Sequence, residues 1–106
     1  MRDQFDGWQK GSHHAVANCN DCHIPHDPIN KWIVKAENGY LHSKAFTFED
    51  FHEPIQMRDS SHQVLVANCT DCHYAMVENI VAQNTNESQS LDCVRCHRDV
   101  GHGPTK

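Results

Sequence analysis

Long apolar runs are missing from this sequence; the longest are as short as Val64 to Ala67. A membrane-spanning helix needs roughly 20 such residues. Met1 to Lys10 is polar and lacks the apolar centre of a secretory signal. Aromatics make up only 8% and all hydrophobic residues 38% of the 106 positions, with a mean hydropathy of -0.72. Those values fall short of what a small domain ordinarily uses to build a core. Positive charge is also scarce. Nine lysines and arginines against 14 acidic residues leave a net charge of -5. With no basic stripe to meet phosphate, nucleic acid is not an expected partner.

What is abundant is cysteine and histidine in register. All six cysteines fall in Cys19-Asn20-Asp21-Cys22-His23, Cys69-Thr70-Asp71-Cys72-His73 and Cys93-Val94-Arg95-Cys96-His97. Each is a CxxCH, the attachment signature of a c-type haem. Two thiols must reach two vinyl groups on one porphyrin edge, and two intervening residues in a helical turn space them for it. The next residue is then placed to turn its imidazole under the ring as proximal iron ligand. Zinc uses CxxC in pairs. Here one of three would be unmatched, and zinc gives no reason for a histidine after each second cysteine. A disulfide framework leaves those histidines equally unexplained.

The expected cofactors are therefore three haem c groups on one domain, residues 1–106. Their apolar mass and covalent attachment take the place of a conventional core. The expected fold is mainly α with much irregular structure, a small multihaem cytochrome wrapped around stacked haems. Without haem the chain is expected to be largely unfolded. Electron transfer is the leading function.

An internal repeat surrounds the first two motifs: Val16 to His23 and Val66 to His73 share the pattern VANCxDCH, 50 residues apart. It suggests two units of similar local shape. Pro25 and Pro28 stop the first haem-binding turn from continuing as a helix. Lys31 to Ala45 reads as a helix, weakened at Gly39, and Asp50 to Pro54 as a loop. Leu65 to Cys69 and Tyr74 to Val81 read as short helices, Asn84 to Ser90 as a polar loop, and Gly101 to Lys106 as an extended tail. The second and third motifs begin only 24 residues apart, so their haems are expected to be close neighbours.

Beyond His23, His73 and His97, seven of the ten histidines are unassigned. His14 lies five residues before Cys19 and His102 five after His97. Short tethers keep each on the proximal side of its own haem, so each is a candidate distal ligand to a neighbouring one. His13 competes with His14. Two axial histidines give a low-spin, six-coordinate iron suited to passing electrons, whereas an open position would permit chemistry.

Gly11 to Ala36, Phe46 to Met57, Val66 to His73 and Asp92 to His102 together resemble the quinol-dehydrogenase cytochromes of the NapC/NirT/NrfH type, in particular their nitrite-reductase branch. Members of that family are anchored by one amino-terminal helix and carry four haems. The three motifs here are similar to the second, third and fourth. Met1 resembles the axial methionine of the first, which implies an anchor and a fourth haem upstream. The resemblance implies that His14 binds the haem of His73, and His102 that of His23. The haem of His97 would be completed by a lysine from the periplasmic multihaem catalytic subunit of a nitrite reductase. Lys35 matches a lysine near the family's quinol pocket, while His42 replaces an acidic residue found in some members.

The resemblance therefore implies a non-enzymatic relay on the periplasmic face of the cytoplasmic membrane. It would pass electrons from a membrane quinol to that subunit. The alternatives are a soluble three-haem shuttle and a small haem enzyme with an open site at His97.

Overall fold

The computed structural model describes residues 2–83 and 92–104. Among the described residues seven helices follow one another: α1 Arg2–Lys10, α2 Cys19–His23, α3 Pro28–Phe48, α4 Asp59–Cys72, α5 Tyr74–Gln83, α6 Cys93–Cys96 and α7 Asp99–His102. A 3-10 turn, Ser12–Ala15, links α1 to the first motif. Among the described residues there is no strand.

The boundaries have local causes. Asn18 caps α2, its side chain accepting from Asn20 N while Asp21 accepts from the Asn18 backbone amide. Asp27 caps α3 through bonds to Ile29 N and Asn30 N at 3.1 and 2.7 Å, with Pro28 in the first turn. α3 ends where Glu49 turns left-handed, at φ 53°. It runs straight through Gly39 and is longer than the 31–45 segment expected.

α4 departs further from expectation. It is a continuous helix from Asp59 rather than a short turn at Leu65, because nothing between Asp59 and Cys72 breaks it. α5 covers the expected Tyr74 to Val81, and 50–54 is non-helical as expected. Gly101 and His102, expected to be extended, form the last turn of α7. Gly103 closes it at φ 72°, donating its amide to Asp99 O. The expected Asn84 to Ser90 loop lies outside the described residues.

The interior is nearly bare of apolar side chains. Among the described residues Ile24, 8% exposed, is the one buried hydrophobic, and Asn68, 7% exposed, the one buried polar residue. Trp32, Tyr40, Phe46, Phe48 and Met76 are all exposed. The radius of gyration is 15.0 Å, against about 13 Å for a compact chain of this length. The frame is open, as a fold that closes over large apolar groups requires.

α4 is the centre of this frame, packing against α2, α5 and α6. Asn68 on α4 donates its amide to Cys22 O and Ile24 O, at 3.0 and 2.9 Å. It thereby ties the second motif's helix to the backbone just after the first. Replacing it with alanine leaves two carbonyls without this donor. Asn68→Ala should lower stability by about 2 kcal/mol in denaturant titrations of the haem-loaded protein.

Candidate haem-binding site

Each CxxCH occupies a helix end. In α2, α4 and α6 the first cysteine starts the last helical turn, and the amide of the histidine or its neighbour closes that turn. No two of the six cysteines are joined by a disulfide. Burial pushes the Cys22 thiol up from its ordinary value, helped by Asp21 and by the nearby Cys72 and Cys19. Burial does the same at Cys69, helped by Cys93 and Cys22. The second motif thus has a neighbour on either side. Among the described residues the first and third motif helices do not touch each other. The spatial order of the motifs is their order in the chain.

The decisive geometry lies in the histidines. His23 and His102 face each other with ring centres 5.7 Å apart and planes within 10°. His73 faces His13 at 6.0 Å, with planes at 71°. Two metal–imidazole bonds of about 2 Å each, plus the distance from each ring centre to its nitrogen, would set the ring centres of two imidazoles sharing one metal about 6 Å apart. Both pairs match that spacing, so the residues present fit haem iron between them. Burial, and secondarily His102, lowers the His23 pKa, favouring the neutral ring that coordinates metal.

The expected partner of His73 was His14, with His13 as its competitor. The structure brings His13 to His73 and turns His14 edge-on to Trp8, at 4.7 Å. The physical reason is at Nδ1. His13 donates it to Val100 O at 3.3 Å, which leaves Nε2 as the acceptor, the arrangement of a metal-binding imidazole braced by a backbone carbonyl. The Trp8 indole is fixed by its bond to Ala17 O, and His14 packs on that ring. The two histidines of the Ser-His-His doublet point in different directions, and only the fold brings one of them beside His73.

Two other histidines bridge motifs. His26 donates Nδ1 to Asp71 Oδ2 at 2.9 Å and Nε2 to Asp21 O at 3.0 Å. Both partners are acceptors, so both ring nitrogens carry protons. These bonds, that to Asp71 foremost, raise its pKa. His62 Nε2 pairs with Asp92 Oδ1 at 3.1 Å, and Asp92 also caps α6. The first bridge ties the first motif to the second, and the second ties the second to the third. Sequence reasoning left both unassigned; each bridge joins residues far apart in the chain.

Because the folded pKa of His26 lies above its unfolded value, its bridge contributes fully below the ordinary histidine range and is lost as pH rises through the folded pKa. The stability advantage of wild type over His26→Asn should therefore be largest below the ordinary histidine range and shrink as pH rises above it, measured by thermal melts of the haem-loaded proteins.

Lys35 lies on α3 with Nζ 5.2 Å above the Trp32 ring. His42, also on α3, donates to Asn38 O one turn back. Met1 lies outside the described residues. Among those residues no three His, Cys, Asp or Glu side chains converge as a metal cage. No helix described is long and apolar enough to cross a membrane.

A helical frame with almost no apolar core, three CxxCH turns and paired imidazoles at ligand spacing is that of a multihaem c-type cytochrome. No protein-family profile matches the chain. It is 29% identical over 115 aligned positions to the cytochrome c-type protein NrfH of Wolinella succinogenes, covering 100% of this chain and 65% of that one. It is 31% identical over 93 positions to the cytochrome c nitrite reductase subunit NrfH of Nitratidesulfovibrio vulgaris, covering 88% and 56%. The tetraheme c-type cytochrome CymA of Shewanella oneidensis is 25% identical over 83% of this chain and 60% of its own.

Among solved structures, the cytochrome c nitrite reductase NrfHA complex bound to the HQNO inhibitor superposes with a TM-score of 0.78. The identity is 29%, over 98% of this chain and 68% of that one. Over nearly its whole length the chain is similar to multihaem cytochromes of the NapC/NirT/NrfH type, and haem c is its class of cofactor. It spans less than two thirds of the length of the NrfH relatives it matches.

Proposed function

We propose that this chain is an electron-transfer subunit holding three haem c groups. It takes electrons that originate in a membrane quinol and delivers them to a periplasmic multihaem catalytic subunit of the nitrite-reductase kind. The facing of His23 by His102 and of His73 by His13 carries this reading. Haem c supplies one-electron iron chemistry, and two imidazole ligands bias it toward electron passage and away from substrate binding.

The chain's own residues hold and order the groups. Cys19 and Cys22, Cys69 and Cys72, and Cys93 and Cys96 form the thioethers, with His23, His73 and His97 as proximal ligands. His102 and His13 complete the first two sites. The His26 and His62 bridges fix the spacing of neighbouring motifs. His97 is exposed, which supports the third site as the exit, completed by a lysine of the partner. Lys35 stands on the quinol side by its resemblance to the family. The setting is the periplasmic face of the cytoplasmic membrane. The likeness to the two NrfH relatives and to the NrfHA nitrite reductase complex supports the partner's class.

The test uses haem-loaded protein, reduced and then mixed with nitrite, with and without a multihaem nitrite reductase catalytic subunit. Three covalent haems per chain and fast reoxidation only when that subunit is present are expected. Equal reoxidation by nitrite alone would make the chain an enzyme, and fewer than three haems would break the relay.

A further inference from the structure

α7 is a single turn of four residues, too short to hold itself in place. It carries His102, and its Val100 carbonyl braces His13. Its support comes from the amino-terminal segment, since α7 packs on α1 and on the 3-10 turn at Ser12–Ala15. The closest approach is at Gly7. A Cβ built there would overlap the His102 carbonyl oxygen and lie 2.6 Å from its carbonyl carbon. Backbone, unlike the tip of a side chain, has no easy way to give. Gly11 is a milder case, its Cβ position 3.3 Å from Trp8 O and 3.5 Å from Val100 O. Gly39, inside α3, would meet nothing within 4 Å.

We propose that Gly7 is a positioning residue for iron ligation: by letting α1 seat directly on the His102 backbone, it holds the His102 ring opposite His23. A side chain at position 7 pushes α7 away, and the displaced turn takes His102 out of ligand range. The His13 brace at Val100 lies on the same turn, so α1 supports both distal imidazoles through one contact surface. The proposal rests on the reading of His102 as the distal ligand, and its test separates the two.

The experiment compares haem-loaded wild type, Gly7→Ala, Gly11→Ala, Gly39→Ala and His102→Ala. It reads the high-spin signal in electron paramagnetic resonance of the oxidised proteins and carbon monoxide bound per chain after reduction. His102→Ala should open one more haem per chain than wild type. Gly7→Ala should raise the open fraction of that same haem on the order of tenfold, a shift worth about one lost contact in a two-state ligand equilibrium. Gly11→Ala should give a smaller rise and Gly39→Ala none. Added imidazole should return the low-spin signal in Gly7→Ala.

If His102→Ala opens no haem, the ligand reading falls. If it opens one while Gly7→Ala, or Gly11→Ala should the former fail to mature, matches wild type, the positioning role falls and the ligand stands.

Discussion

A chain with all six cysteines replaced by alanine, and so without attached haem, should lose most of its far-UV helical signal and show no cooperative thermal transition. The haem-loaded protein should melt cooperatively. Ordering each residue costs about 1 to 2 kcal/mol of conformational entropy. Apolar burial is the usual offset. Here that offset is absent from the polypeptide, since Ile24 is the one buried hydrophobic among the described residues. The helices cannot stand alone either. α2, α6 and α7 have four or five residues, and isolated helices under about 12 to 15 residues are marginal in water. Only α3 and α4 reach that length. Circular dichroism during heating checks the prediction, and a sharp transition in the cysteine-free chain would show that the polypeptide supplies its own core.

The second large effect concerns the histidine doublet. His13→Ala should turn one haem per chain from low-spin to high-spin and let it bind carbon monoxide when reduced. His14→Ala should leave the low-spin signature intact and cost only the packing of its ring on Trp8. The difference follows from the Nδ1 bond of His13 to Val100 O, which fixes the tautomer and the ring direction toward His73. Electron paramagnetic resonance of the two variants decides the matter. The opposite pattern would return the ligand to His14, the residue to which the family resemblance points.

Much of the site was legible in the sequence. The CxxCH spacing is a covalent requirement confined to five residues, so it survives any tertiary arrangement. The resemblance alone pointed His102 to the first motif, and the structure sets its ring 5.7 Å from that of His23. Helix starts at Asn18 and Asp27 have side-chain causes within three residues. The choice between His13 and His14, the bridges at His26 and His62, and the seat at Gly7 were not legible. Each depends on a partner at least 30 residues away, brought close only when α1 meets α7 or α4 meets α2 and α6.

The repeated VANCxDCH shows the division most clearly. By itself the sequence determined that two thiols and a histidine leave one helical turn at each copy, because that chemistry is local. It also suggested that the copies share a shape, and here the tertiary structure decided otherwise. Asn18 follows Gly11 and a 3-10 turn, stands outside the helix, and caps α2 with Asp21 as its reciprocal partner. Asn68 lies within the uninterrupted α4, is buried, and bonds to the backbone behind the first copy, while Asp71 reaches His26. Identical residues take different roles because a polar side chain bonds whatever the fold brings within reach, and only the packing of α4 on α2 supplies those partners.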